Sequence, residues 1–474
     1  MGALAAFSAC RRAPRDTPVQ PEVFVTTADR RLLLVPLADE ARDGRYSGPG
    51  PGDAEIAVHV ADRKQPITGF GAALTDASVQ LLRALPDSTR RALLQELFDV
   101  RDGAQGIGLR MVRVPIGASD FSSSHYTLHD TRPHGDSVLT AFDFSPERDR
   151  VAMLRALRVM QPSLAIMGTP WSAPAWMKTS MRLAGGTLRA DALPVYSAYL
   201  ERVVTAYDSA GVALDYLSVQ NEPQHEPPDY PGMRLSPGQR AELVGGHLGP
   251  RLARLPRAPK LLEWDHNWDA PEEPLAVLRD MRARSYLHGV AWHCYAGQPS
   301  AQSLVHEAFP TVATFFTECA GGAWAPDFGD NLLWNVRTLV IGATQHWAQG
   351  VLLWNLALDP SHAPHLGGCT NCRGVLTIDA RTRSVTRNEE YYALAHASRG
   401  MQGDAWRQGW RVGSEMAGAD TATTSTVSFA NARGQVTTVI AHAGAAPQWV
   451  VHRVGDRAHR LRLPARSVVT IVWH

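Results

Sequence analysis

No stretch of this chain approaches the roughly 20 consecutive apolar residues of a membrane-spanning helix, so the body of the protein is not expected to be embedded in a bilayer. Excess charge of one sign is missing as well. The 47 Lys and Arg against 46 Asp and Glu leave a formal net charge of +1, without a basic stripe or a run of like charges. Nothing in that balance points to nucleic acid or an anionic membrane surface, and a compact neutral substrate fits better. Cysteine is scarce, at five residues in 474, which leaves the redox compartment undecided. A glycine-rich nucleotide loop is also absent. Gly69-Phe70-Gly71 follows an apolar run but lacks the third glycine and its spacing, which removes the usual mark of an open, doubly wound sheet.

What is present is ordinary globular composition, 45% hydrophobic and 20% charged, in a chain long enough for one sizeable domain and a smaller one. The first ten residues are small and apolar and end in Ser8-Ala9-Cys10, followed by Arg11, Arg12 and a polar stretch to Gln20. This resembles the tail of an export segment, loosely of the lipoprotein kind anchored at Cys10, although it lacks a basic start. The expectation is a disordered tail or signal remnant over 1–20 and a secreted or periplasmic protein, with cytoplasmic residence as the alternative.

From Pro66 onward one rhythm repeats. An apolar or β-branched run ends in polar and aromatic residues and is followed by a helix-compatible stretch. Eight such runs are counted: Pro66 to Asp76, Gly108 to Pro115, Ser163 to Ser172, Asp215 to Pro223, Lys260 to Trp268, Gly289 to Gly297, Thr311 to Gly321 and Gly350 to Leu358. Helix starts are legible between them, with Ser236 ahead of Pro237 and acidic Glu272 and Glu273 in a first turn. Eight near-continuous apolar strands with helical crossovers predict an α/β fold, a closed parallel (β/α)8 TIM barrel, over 66–383. In the flanks, 21–65 and 384–474, the segments Glu22 to Pro36, Ala54 to Ala61 and Thr424 to Trp473 alternate in the manner of antiparallel strands. Because both ends are β, they are expected to pair into one β-sandwich attached to the barrel.

In such barrels the reacting groups lie at the C-terminal ends of the strands. Two carboxylates are found there. Glu222, in Asn221-Glu222-Pro223, closes the fourth run, where Pro223 cannot continue the ladder and ejects the chain into a loop. Glu318 closes the seventh, after Thr314-Phe315-Phe316-Thr317. Two carboxylates with separate tasks are what glycoside cleavage needs, and a retaining enzyme holds them roughly 5 Å apart. The blander alternatives are a solvated Glu222 and a Glu318 that merely pairs with Arg113. Around the same mouth the sequence places Asp120, Trp171, Trp176, His293, Tyr295 and Trp354-Asn355. Indoles can stack on sugar faces, and 13 tryptophans leave several for the core.

Taken in order, Gly69-Phe70-Gly71-Ala72-Ala73-Leu74-Thr75-Asp76, Arg113-Val114-Pro115, Gln220-Asn221-Glu222-Pro223, Phe316-Thr317-Glu318 and Trp354-Asn355-Leu356-Ala357-Leu358 resemble glycoside hydrolase family 30, the glucosylceramidase-like enzymes. The resemblance spans nearly the whole chain. It implies a barrel with a β-sandwich built from both ends, and retaining hydrolysis of β-glucosidic bonds with no metal and no organic cofactor. It assigns Glu222 as acid/base and Glu318 as nucleophile. It also places Asn221 at the substrate's 2-hydroxyl, Asp120, Trp171 and Trp354 on the sugar, and Tyr295 beside the nucleophile. His293 and Arg113 match supporting positions, His293 being counted with the groups around the substrate. Glu222 must start protonated and Glu318 ionised, and burial beside a second carboxylate is expected to raise the pKa of Glu222.

The loop after Leu358 departs from the glucosylceramidase pattern and carries His362, His365, Cys369 and Cys372. Those four side chains offer a zinc-like ligand set without the spacing of a finger, and a Cys369–Cys372 disulfide is preferred in an exported protein. Cys294 and Cys319 are expected to be small buried thiols. The substrate is expected to be a carbohydrate or glycolipid. The candidates are β-glucosides including glucosylceramide, with β-1,6-glucan cut internally or β-xylosides as alternatives on the same scaffold. A barrel that binds carbohydrate without cleaving it is the competing class.

Overall fold

A computed structural model describes residues 20–37, 42–43, 50, 52–130, 136, 138–418 and 422–474. Cys10 and the expected tail or signal remnant lie outside the described residues. The eight runs form eight strands: Gly69–Ala73 (β1), Met111–Ile116 (β2), Ala165–Pro170 (β3), Tyr216–Ser218 (β4), Lys260–Asn267 (β5), Leu287–His293 (β6), Ala313–Glu318 (β7) and Ala348–Leu353 (β8). Each pairs with its successor, and β8 returns parallel to β1 with Gly350 opposite Gly69, closing the barrel. Gly71 is on β1 because backbone approaches there. A Cβ on it would lie 1.8 Å from the Met111 carbonyl oxygen. The Gly69-Phe70-Gly71 run is thus a strand-packing feature of the barrel.

The period of two along each strand decides what fills the barrel and what crowns it. Met111, Met167, Tyr216, Leu262, Ala291 and Phe315 are buried together as an apolar plug in the interior. Two residues further along β2, β3, β6 and β7 stand Arg113, Thr169, His293 and Thr317, all fully buried. The same alternation that packs the plug therefore lays a polar layer directly above it, facing the C-terminal mouth. Helix starts follow local chemistry. Thr75 accepts a hydrogen bond from the Ser78 N–H, and Ser236 and Gln239 form a reciprocal capping box.

Both chain ends build the second sheet. Its ten strands run in the order Val35–Pro36, Glu22–Thr27, Ser467–Trp473, Val436–His442, Thr424–Asn431, Gly409–Ala417, Ala54–Pro66, Gln448–Val454, Arg457–Leu463 and Arg42–Asp43. Neighbours are antiparallel except for Gln448–Val454, which lies parallel to Ala54–Pro66. The sheet folds back on itself. Trp473 Nε1 donates to His452 Nδ1 at 3.0 Å, and His452 Nε2 meets Thr438 Oγ1 at 2.9 Å, across strands that are not neighbours in the order. One buried cluster joining Val23, Ile56, Val436, Val450, Leu461 and Ile471 fills the sandwich so formed.

The expected boundary at 384 needs correction. Ser384–Arg387 belongs to a small sheet with Ala357–Leu358 and Leu376–Asp379, and the outer sheet resumes only at Gly409. Between them, helix Glu389–Ser398 is buried on every face. Its Tyr391 and Leu394 join the same core cluster as the barrel's Phe70. A helix buried all round fits between two layers rather than on the surface of one.

Candidate active site

Arg113 organises the mouth of the barrel. Its guanidinium is fully buried, with Nη1 paired to Glu318, Nη2 donating to Asn221 Oδ1 at 2.7 Å and to Asp265 Oδ2 at 2.9 Å, and Nε donating to Thr169 Oγ1 at 3.2 Å. The Trp171 ring centroid lies 4.9 Å from the same guanidinium carbon. Trp171 in turn stacks on Trp354, with ring centroids 5.2 Å apart and planes at 20°. The planar fork of Arg is required here, because its five donors reach four acceptors on four strand ends at once.

Glu318 ends β7 and receives Arg113 at one oxygen and the Tyr295 hydroxyl at the other, the latter at 2.9 Å. Burial and the neighbouring carboxylates keep the Tyr295 phenol protonated, with its pKa well above the ordinary value, so it is fixed as the donor. Glu222 lies four residues beyond the end of β4. Its backbone N–H donates to the Asp265 carbonyl at 3.0 Å, and its φ is +46°, a left-handed conformation that glutamate seldom adopts. Asp265, near the end of the adjacent β5, and Asn355, just after β8, also have positive φ, at +53° each. Such backbone is held only where the surroundings over-determine it, and here it aims side chains inward. Glu222, His293 and Glu318 each offer an atom within 4.8 Å of the others.

His293 stands behind Glu222 and is fully buried, so it is not among the groups facing the cavity. Its Nδ1 meets Glu222 Oε1 and its Nε2 meets Asp265 Oδ1, both at 3.0 Å, and Glu318 lies 3.9 Å from Nδ1. Burial alone would lower the pKa of this imidazole, but Glu318, Asp265 and Glu222 outweigh it and lift it to about 9. Burial likewise pushes the Glu222 carboxyl upward, yet the hydrogen bond and positive charge of His293 bring it to about 2. This reverses the expected upward shift of Glu222. The second carboxylate is outweighed by the hydrogen bond and field of His293, which favour the ionised form of Glu222. Asp265, held by Arg113, His293 and Thr317, is pulled well below the carboxylate range. Asp120 moves the opposite way. Burial and the facing carboxylates Glu318 and Glu222 raise it well above its usual value.

A pH test follows from the shift of His293. A histidine whose folded pKa is raised stabilises the fold fully below its unfolded value near 6.5, and that contribution disappears as pH rises through about 9. Wild type is expected to exceed His293→Gln in stability by a margin that is constant below about pH 6 and narrows as pH rises from 6.5 through about 9. Denaturant unfolding of both proteins across that range measures it, and a margin that stays flat or widens contradicts the charged His293.

Asp120, Trp171, Asn221, Glu222, Tyr295, Glu318 and Trp354 line one cavity of about 540 Å³. Trp176 lies elsewhere, its indole N–H donating to the His129 carbonyl at 3.2 Å. The loop after β8 forms part of the wall. The Leu366 N–H donates to the Asp120 carbonyl at 2.8 Å, and Gly368 packs so close to Asp120 that an added Cβ would come within 2.6 Å of it. Cys369 and Cys372 are disulfide-bonded in this wall, while His365 Nδ1 meets the Gly367 carbonyl at 3.2 Å. Cys294 and Cys319 are not the buried thiols expected. They form a second disulfide that ties the end of β6 to the end of β7, because the two strand ends lie side by side with His293 opposite Glu318.

Sequence reasoning passed over Asp265, His266, Thr317, His225 and Tyr230. Asp265 and His266 lie in the last three residues of β5, a strand it had located, so the C-terminal-end rule that found Glu222 and Glu318 would have found them too. His225 and Tyr230 lie on the loop beyond Pro223, 3.0 Å apart, where no periodicity marks them.

The chain matches the glycosyl hydrolase family 30 TIM-barrel domain over residues 67–401. It is 33% identical over 397 residues to an endo-1,6-beta-D-glucanase of Neurospora crassa, covering 81% of this chain and 80% of that protein. It is 30% identical over 329 residues to the lysosomal acid glucosylceramidase of Mus musculus, covering 64% and 61% respectively. Among solved structures, the endo-beta1,6-glucanase BT3312 superposes with a TM-score of 0.86 at 26% identity, covering 96% of this chain and 99% of that one.

Proposed function

This chain belongs to glycosyl hydrolase family 30 and is a retaining β-glycoside hydrolase, and from that premise we propose that it cleaves β-1,6-glucosidic bonds within a glucan chain. The observation that carries the chemistry is the carboxylate pair. Oxygens of Glu222 and Glu318 lie within 4.8 Å on one mouth of the barrel, near the retaining separation of roughly 5 Å and short of the wider gap that an inverting enzyme keeps for water. The linkage is supported by the names of two relatives that match over four-fifths or more of their own length, both glucanases.

In this reading Glu318, aimed by Arg113 and Tyr295, attacks the anomeric carbon and forms a glycosyl ester. The leaving oxygen takes a proton from Glu222. That proton rests on His293 beforehand and crosses the 3.0 Å hydrogen bond to Glu222 when a glycosidic oxygen arrives to accept it. Asp265 on the other face holds the imidazole in register during the transfer. Glu222, again a base, then takes a proton from water, and the water oxygen displaces Glu318 from the sugar. Asn221, already oriented by Arg113, is placed to bind the 2-hydroxyl. Asp120 and the Trp171–Trp354 stack, which line the same cavity, hold the rest of the ring in this reading.

A glucosylceramidase activity is the second reading, supported by the murine relative. The two disulfides support residence in an oxidising compartment, and we propose export on that ground. Among the described residues no helix is long and apolar enough to cross a membrane. A substrate panel tests the proposal, comparing aryl β-glucoside, aryl β-xyloside, glucosylceramide and pustulan, with proton NMR of the first product. Cleavage of pustulan and aryl glucoside, with the β anomer appearing before mutarotation, is expected. An α anomer overturns the mechanism, and preference for glucosylceramide or xyloside overturns the substrate.

A further inference from the structure

Beside the catalytic cavity lies a second cleft, about 670 Å³, that the mechanism does not use. Its floor is the Cys294–Cys319 disulfide with Ala320 and Pro326, and its walls carry Trp324 and Trp334. These indoles are 54% and 44% exposed, whereas most of the chain's tryptophans are buried, and a large apolar ring left in water on a cleft wall calls for an explanation. The cleft adjoins the catalytic cavity, and Tyr295 and Trp324 line both.

Trp324 is mounted rather than merely exposed. Its ring packs on Gly322, where an added Cβ would come 2.0 Å from Trp324 Cζ3, so glycine makes room for the indole at this position. That backbone is itself pinned. Gly321 and Gly322 pair with Arg373 and Cys372 in a two-stranded ladder, and the Ala323 N–H donates to the Asn371 carbonyl at 2.9 Å. Arg373 is anchored in turn on Glu390 at 2.9 Å. The disulfide loop after β8 therefore holds the indole in place at the lip of the cavity. A flat ring fixed before binding loses little freedom on contact, which suits it to stack on the C–H face of a pyranose.

We propose that this cleft is a subsite for further glucose units of a β-linked glucan chain, with Trp324 as the platform at its junction with the catalytic cavity and Trp334 as a second platform beyond it. The inference rests on the glucanase reading above and deepens it to binding of a chain of several sugars. The occupant is a glucan rather than an acyl chain because Asp327 and Asp330 form part of the same wall and are largely exposed. Covering those carboxylates with hydrocarbon costs their hydration, whereas sugar hydroxyls can donate to them.

The test compares wild type, Trp334→Ala and Trp324→Ala on β-1,6-linked gluco-oligosaccharides of two to six units, on aryl β-glucoside and on glucosylceramide. The expected wild-type kcat/KM rises with chain length. Each substitution is expected to lower the ratio of hexasaccharide to aryl glucoside kcat/KM by about 3- to 10-fold, the size of one aromatic stacking contact. Circular dichroism and thermal unfolding of the same samples report that the variants are folded, and Trp→Phe at either position is expected to restore most of the ratio. An active wild type without chain-length dependence, or ratios unchanged in both variants, overturns the subsite and leaves the catalytic reading standing. Loss confined to glucosylceramide assigns the cleft to lipid and overturns it too. A wild type that releases sugar from none of these substrates overturns the catalytic reading and the subsite together.

Discussion

Glu318→Gln is expected to fold and to bind glucan, and to turn over neither aryl glucoside nor pustulan, with kcat reduced on the order of 10⁴-fold or more. The fold survives because the amide keeps an oxygen for the Arg113 N–H, and the tyrosine hydroxyl can accept from the amide nitrogen where it now donates to the carboxylate. The chemistry does not survive. A neutral amide neither attacks the anomeric carbon nor offsets the positive charge that develops there, and both steps of a double displacement run through that atom. A good leaving group brings no relief, since the loss lies on the opposite face of the sugar. Stopped-flow measurement with a dinitrophenyl glucoside checks this. A burst of phenolate, or residual kcat above about one-hundredth of wild type, removes Glu318 from the nucleophile's role.

Glu222→Gln is expected to separate the two steps instead. A dinitrophenolate leaves without a proton, so ester formation on Glu318 continues at close to the wild-type rate. Water then finds no base, and steady-state turnover falls by roughly 10²- to 10⁴-fold. With natural glucan, whose leaving alkoxide needs the proton, the first step falls as well. Azide needs no deprotonation before it attacks. It should restore turnover and yield the β-glucosyl azide, because it approaches the ester from the face that the leaving group vacated. The geometry makes the result informative about His293 too, since the introduced amide can still accept from Nδ1 through its oxygen but cannot pass a proton on. Equal loss on activated and natural substrates, with no response to azide, means that Glu222 is not the acid/base.

The eight barrel strands were legible because each is a short apolar run that ends abruptly in polar residues, and all eight runs correspond to strands of the closed barrel. Glu222 and Glu318 were legible for the same reason, as charges at the ends of apolar strands. The sandwich was legible only as texture. Alternation in the flanks says strand without saying which partner, and the parallel pairing of Gln448–Val454 on Ala54–Pro66 brings Arg453 to Glu55 across 398 residues of chain that no local pattern connects. The segment 384–408 was assigned to the sandwich with the rest of the C-terminal flank, because no local pattern shows that helix Glu389–Ser398 is buried on every face.

Within the site, the spacing of motifs identified the carboxylates but misjudged the charge on Glu222. The sign of a pKa shift depends on the summed field of every neighbour. His293 comes from β6, 71 residues downstream of Glu222, and Asp265 from β5, and both are brought to it by barrel closure alone. The second disulfide belongs to the same class of fact, since Cys294 and Cys319 become neighbours only when β6 and β7 pair.

By itself, then, the sequence determined the period of each strand, the residues that end it and hence the set of groups that can reach the mouth of the barrel, because those follow from local alternation and from where apolar runs stop. The tertiary structure alone decided which of those groups touch, which form of Glu222 their summed field favours, and that a mounted indole opens a second cleft beside the first, because contact and electrostatic field are properties of distance in space rather than of separation along the chain.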